Sequence, residues 1–212
     1  MKLNLYDKLA GIYDSLAYMA LGREFFASHR AFLEEVNEGD TVLFIGGGSG
    51  GVLKEISDRA GSAGRVYFVE ASARMIQMAQ EKISKSGENA HNNVIFLHQG
   101  DFDALPEERV DLVITQYLLD VLVDKDIEKL FQAIEQRASE NVKWLVAEFT
   151  NKASRKWMTQ SMILFFRLFT QNPRNNLPQV EDYFFAEGYT LLRQQSFKKG
   201  WIKALLYQKT NA

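Results

Sequence analysis

The chain contains no cysteine, which excludes disulfides and thiolate metal sites together. Its three histidines, His29, His91 and His98, are scattered and make no metal-ligand spacing. Charge of one sign is lacking too. The net charge is −2 with acidic and basic residues interleaved, so there is no electrostatic footprint for nucleic acid. Long apolar runs are also absent, and the strongest, MILFF at 162–166, is far too short to span a bilayer. Asp7 and Asp14 stand where a secretory signal needs an apolar core. These absences lead to the expectation of a cytoplasmic protein.

What is present is ordinary globular composition, 46% hydrophobic and 25% charged over 212 residues. A chain of this length suits one domain and buries roughly 70% of its unfolded surface. Residues 4–36 read as helix, interrupted only by Gly11 and Gly22, and the NEGD turn (Asn37 to Asp40) ends it. TVLFI then forms a continuous apolar run suited to a strand buried on both faces. Strand-like RVYFVE, VIFLH, VDLVIT and KWLVAEF follow, alternating with helical patterns. Ser72 should cap the helix carrying Met75, Ile76, Ala79 and Ile83, and Asp124 the one carrying Ile127, Leu130, Phe131 and Ile134. Alternation of this kind means a parallel sheet with helices on both faces. YTLLRQQSF and WIKALLYQK are too close in sequence for a crossover and must form an antiparallel hairpin. The single domain divides into a helical cap over 1–37, a core over 40–150, and a helix, loop and hairpin over 151–212.

Between the first strand and its helix lies LFIGGGSGGVLKEI. Gly46, Gly48 and Gly51 spell the GxGxxG of dinucleotide binders, and Gly46, Gly48 and Gly50 the GxGxG of S-adenosylmethionine binders. Glycine here permits positive φ and close approach of a ligand to the backbone. A tight strand-to-helix turn with no ligand would use the same residues. Glu70, at the end of the second strand, lies where a carboxylate can accept from both hydroxyls of a ribose. Both cofactors contain adenosine, so other features decide. Asp101, after the third strand, can accept from an adenine amino group while Phe102 packs on the ring. No tyrosine is followed four residues later by lysine, and the sheet ends in a hairpin rather than repeating a mononucleotide half. These favour S-adenosylmethionine.

VLFIGGGSG, VEASARMIQMAQ, GDFDALP and VDLVITQYLLDVL resemble, in order, the four motifs of class I S-adenosylmethionine-dependent methyltransferases. The helix YDKLAGIYD is similar to that of the ubiquinone/menaquinone-type C-methyltransferases. The resemblance implies a Rossmann-like α/β fold, with a seven-stranded, mostly parallel sheet, an antiparallel last strand and helices on both faces. It also implies Gly46, Gly48 and Gly50 against the methionine portion of the cofactor, Glu70 on the ribose, and Ala71 and Met75 flanking the adenine. Asp101 and Phe102 would grip the base, Gln116 and Tyr117 would close the methionine side, and Tyr6 and Tyr13 would fold over the cofactor. One residue departs from the pattern: Phe44 stands where the family has an acid two before the first glycine. Asp14 and Glu148 are the candidates to replace that carboxylate.

Methyl transfer to oxygen or an ammonium needs a base, and Asp120 is the first candidate, with Tyr117 and Tyr13 behind it. Asp120 could equally serve as a solvated or helix-capping aspartate. The segment SRKWMTQSMILFFRLF is apolar on more than one face and ringed by Lys152, Arg155, Lys156, Arg167 and Arg174. It suits a helix packed between sheet and lid, or the wall of a pocket for an apolar acceptor met at a membrane surface through residues 152–170. The sequence expectation is a methyltransferase acting on a small, partly apolar molecule. An NAD-type oxidoreductase and a non-catalytic S-adenosylmethionine-binding relative are the alternatives.

Overall fold

The computed structural model describes residues 22–85, 92–102, 105–151 and 176–210. Tyr6, Tyr13, Asp14 and the apolar helix expected over 152–170 lie outside them. Seven strands form one sheet: β1 (Thr41–Ile45), β2 (Arg65–Glu70), β3 (Val94–His98), β4 (Val110–Gln116), β5 (Ala138–Phe149), β6 (Tyr189–Phe197) and β7 (Ile202–Lys209). Their order is β3-β2-β1-β4-β5-β7-β6. The first five pair in parallel, and β7 is antiparallel to both β5 and β6. The fold is the Rossmann-like one that the resemblance implies, on the parallel sheet that the alternation of elements requires.

Burial of both faces of the sheet explains why β1 is apolar from Val42 to Ile45. Val42 and Phe44 enter the core cluster on one face of the sheet, and Leu43 and Ile45 enter the cluster on the other. Helical residues 22–30 (α1) and α2 (Leu53–Ala60) bury Phe25, Leu53, Ile56 and Ala60 in the first cluster. From α3 (Ala73–Ser84), Ile76 and Ala79 join them. On the opposite face, α4 (Asp124–Glu135) and α5 (Val180–Ala186) bury Ile127, Leu130, Phe131, Ile134, Val180 and Phe184.

Three local expectations need correction. The first helix does not run to residue 36. Phe32 turns left-handed at φ 64°, its ring buried and the Arg193 guanidinium 4.7 Å from the ring centroid, and a single 3-10 turn (Leu33–Glu35) follows. Asp124 does not cap its helix but begins it, and its carboxylate accepts from the Tyr183 hydroxyl at 2.6 Å. Residues 180–186, read as part of a loop, form α5, with Val180 and Phe184 one turn apart and both buried. Ser72 does cap α3, accepting from the Met75 N–H at 3.2 Å.

Strand order reverses between β1 and β4, since β2 and β3 lie to one side and β5 to the other. Open α/β sheets bind ligands in the crevice at such a switch point, outside the carboxyl ends of the strands. Gly46, Glu70 and Gln116 all stand at that edge.

Candidate active site

Gly46, Gly48 and Gly50 have φ of 68°, 57° and 72°, the left-handed region open to glycine, whereas Gly51 does not. Each position has a different neighbour. A Cβ at Gly46 would come 3.0 Å from Leu118 Cδ1, and one at Gly50 would come 2.7 Å from Ala79 Cβ. One at Gly48 or Gly51 would meet nothing within 4 Å. Gly48 therefore has open space beside its backbone, while Gly50 is kept small by α3. Gly47, which neither glycine spacing singles out, is the most confined: a Cβ there would lie 2.8 Å from Phe68 Cζ and 2.9 Å from Phe44 Cε1. Phe44 is fully buried and meets Phe68 edge-on, with centroids 5.4 Å apart. An aromatic core layer occupies the position where the resemblance leads one to expect an acid, and a side chain at Gly47 would press on it.

The Glu70 carboxylate is fixed by that loop. Oε2 accepts from the Gly48 N–H at 3.0 Å and Oε1 from the Ser72 N–H at 2.9 Å. Burial pushes its pKa up, against the backbone N–H groups of Ser72, Gly48 and Ala71 and the charge of His98. Beyond these N–H groups the carboxylate keeps acceptor capacity for at least one hydroxyl. Around it, Ala71 is half-buried and its carbonyl meets His98 Nε2 at 3.0 Å, while Met75 is buried in the first turn of α3. A Cβ at Gly100 would lie 3.5 Å from Ala71 Cβ, which brings the loop after β3 alongside. Asp101 on that loop is exposed, and Phe102 is half-buried against the cluster on the α4 side.

The other wall rises from the ends of β4 and β5. Gln116 donates through Nε2 to the His29 carbonyl at 2.8 Å, and its buried Oε1 has no hydrogen-bond partner among the described residues. Tyr117 is left-handed at φ 55°, an outlier for a bulky residue. Its hydroxyl shares a 2.6 Å hydrogen bond with Ser28 Oγ. Its ring lies 4.6 Å from Phe25, 4.8 Å from Phe149 and 5.1 Å from His29, centroid to centroid. The Tyr117 hydroxyl is thus engaged by α1, and the side chain enters the site as part of an aromatic wall. Asp120 is buried in the 3-10 turn Leu119–Val121. Beneath it Glu148 accepts through Oε1 from the N–H groups of Leu118 at 3.1 Å and Leu119 at 2.8 Å. Burial and the neighbouring Asp120 push the Glu148 carboxyl well above the usual range.

The structure brings Gly46, Gly48, Glu70, Ala71 and Met75 to one side of the switch point and Gln116, Tyr117 and Asp120 to the other. Tyr13 lies outside the described residues. Among those residues, no group of three or more histidine or acidic side chains could hold a metal, and no helix is long and apolar enough to cross a membrane. Sequence reasoning missed Gly47, Ser28, His29 and the pairing of Glu148 with Asp120.

Residues 42–153, slightly more than half of the chain, match the protein family described as a methyltransferase domain. The ubiquinone/menaquinone biosynthesis C-methyltransferase UbiE of Hydrogenovibrio crunogenus is 24% identical over 136 residues, covering 62% of this chain and 53% of that protein. The Marinomonas sp. protein of the same name is 23% identical over 212 residues, covering 98% and 82%. The chain thus spans about half the length of the first relative and most of the second. Among solved structures, a SAM-dependent methyltransferase from Aquifex aeolicus superimposes with a TM-score of 0.68 at 19% identity, covering 96% of this chain and 98% of that one. Magnesium protoporphyrin IX methyltransferase from Synechocystis PCC 6803, with bound SAH, gives 0.65 at 16% identity, covering 90% and 87%. At such identities these two likenesses speak for the fold.

Proposed function

The chain belongs to the methyltransferase-domain family, and from that premise we propose that it transfers a methyl group from S-adenosylmethionine to a small, partly apolar acceptor. One observation carries the cofactor. Gly46, Gly48 and Gly50 are the left-handed residues of the loop, open space adjoins Gly48, and the Glu70 carboxylate is held at its edge. A dinucleotide loop would need Gly51 small for helix packing. Here that demand falls on Gly50, against Ala79, and Gly51 is unconfined. The buried Oε1 of Gln116, with no hydrogen-bond partner among the described residues, suits a donor at the methionine end.

When bound, the cofactor supplies a methyl group activated on a sulfonium, which leaves by in-line displacement. The residues present do the rest. Glu70 receives the ribose hydroxyls, and the loop after β3, with Asp101 and Phe102, covers the base. Across β4, Phe25, Tyr117 and Phe149 form an apolar wall that orients the acceptor and excludes water. Asp120 takes the acceptor's proton where the attacking atom carries one. The quinone and porphyrin substrates in the names of its relatives fit such a wall.

The burial of Phe44 favours a second reading, a binder with weakened or lost catalysis, because the usual carboxylate for the methionine end is missing from β1. Two measurements separate these. Calorimetry and thermal shift with S-adenosylhomocysteine and with NAD should show binding of the first alone. Methyl-labelled S-adenosylmethionine, incubated with quinone-type and phenolic acceptors, should then label a product. Binding without a labelled product supports the second reading, and binding of NAD alone overturns both.

A further inference from the structure

Tyr117, directly after β4, holds a left-handed backbone at φ 55°. A bulky residue keeps such a conformation only where its surroundings over-determine it. Three contacts do so here. Its N–H donates to the Ala147 carbonyl at 2.7 Å. Its ring is enclosed by Phe25, His29 and Phe149. Its hydroxyl meets Ser28 Oγ of α1 at 2.6 Å, and Ser28 is only 1% exposed. The direction of that last bond is fixed. Ser28 Oγ also lies 2.6 Å from the Phe25 carbonyl, which can only accept, so the single serine hydrogen goes there and Tyr117 must donate.

The residues on either side repeat the grip. The carbonyl of His29, next in α1, accepts from Gln116 Nε2 at 2.8 Å. That bond orients the amide and leaves Gln116 Oε1 buried with no hydrogen-bond partner among the described residues. Two consecutive residues of α1 thus hold two consecutive residues at the end of β4, one through a side chain and one through a backbone carbonyl. After Tyr117, Leu118 packs against the glycine loop, since a Cβ at Gly46 would come 3.0 Å from its Cδ1. α1 precedes residues 42–153, the part that matches the methyltransferase domain, so it adds to the site from outside that match.

We propose that Ser28 is a positioning residue for the methionine side of the cofactor site: its hydroxyl latches Tyr117 in the left-handed turn, and that turn holds the Gln116 carbonyl oxygen ready for a donor on the ligand. The positioning rests on the reading of the site as one for S-adenosylmethionine, but the latch does not. The Tyr117 hydrogen is directed at α1, so Tyr117 serves through its ring and its backbone. Without the latch the turn can relax toward an ordinary φ and carry Gln116 with it. Glu70 is held from the other side of the switch point, by the Gly48 and Ser72 N–H groups, and stays in place.

The test is calorimetry with S-adenosylhomocysteine and with adenosine on the full chain and its S28A, Y117F and S28A/Y117F variants. Adenosine offers the ribose and base but lacks the methionine portion. S28A and Y117F should each weaken S-adenosylhomocysteine binding by about fivefold or more, the equivalent of one ordinary hydrogen bond, and leave adenosine within about twofold. Thermal unfolding of the same four proteins gives a readout that needs no ligand. Both substitutions remove the same bond, so the double variant should lose clearly less stability than the two single losses added together. Additive losses overturn the latch. Equal weakening of both probes, or unchanged S-adenosylhomocysteine affinity, makes Ser28 structural alone and overturns the positioning. If S28A does not fold, Y117F still reads the split between the two probes. A wild type that does not bind S-adenosylhomocysteine sinks the cofactor reading, and the positioning with it, while non-additive melting then still shows the latch.

Discussion

The glycine loop on the β1 side of the site and the carboxyl pair on the β4–β5 side differ in how far apart their parts lie in the chain. The loop is made by consecutive residues, Gly46 to Gly51, with one distant partner, Glu70, two elements later. The pair joins Asp120 to Glu148 across a whole helix and strand, held by N–H groups of the turn after β4. A left-handed backbone is set by local residue choice, because only glycine adopts it cheaply. The protonation of a buried carboxyl is set by what the topology packs around it. The first kind of site can be read from a short stretch, and the second needs the sheet order.

The sharpest way to break the local half is Gly47→Ala, whose new methyl would press on two buried rings. Overpacking of this kind costs about 3 kcal/mol at the upper end of its range. Thermal unfolding should show the loss, and Phe68→Leu in the same chain should recover part of it. Full stability of Gly47→Ala would mean that the loop moves freely above Phe44.

Next in size is Glu70→Ala. It removes the acceptor for two backbone N–H groups, so stability should drop by about 2 kcal/mol in addition to any loss of ligand. Affinity for S-adenosylhomocysteine should weaken at least about tenfold, at 1.4 kcal/mol per decade. Unchanged affinity in a folded variant would remove Glu70 from the ribose.

The carboxyl pair is probed by pH. In the fold Glu148 titrates above the ordinary carboxylate range. Its contribution to stability is therefore fully present at low pH. Between the unfolded and folded pKa values the native state holds the extra proton, so stability falls as pH rises, by at most about 1.4 kcal/mol per unit. The difference in stability between the wild type and Glu148→Gln should carry this slope. Parallel curves across that window would contradict it.

Much of the fold was legible because each element satisfied its own period. The buried faces of α2, α3 and α4 are those that the spacing of Leu53, Ile56, Met75, Ile76, Ile127 and Phe131 requires. The hairpin followed from a gap too short for a crossover, and Tyr189–Phe197 begins and ends where the strand-like stretch YTLLRQQSF does. α5 was hidden by its brevity and by Pro178 just before it, although Glu181 and Asp182 in its first turn favour a helix start. Gly47 was passed over because both spacing patterns treat it as filler, and its constraint comes from two rings on different strands. Glu148 looked like a stand-in for a missing cofactor carboxylate. Its place beneath Leu118 and Leu119, beside Asp120, is a product of β4 and β5 pairing.

The central claim, that this loop holds S-adenosylmethionine, is tested most directly by S-adenosylhomocysteine calorimetry on the wild type, Gly48→Ala and Gly51→Ala. Gly48 is left-handed with open space at its Cα, and Gly51 has the same open space without the left-handed backbone. The wild type should bind, Gly51→Ala should bind within about threefold, and Gly48→Ala should lose at least about tenfold while circular dichroism shows both variants folded. Full affinity in Gly48→Ala, or equal and severe losses in both variants, would contradict the account.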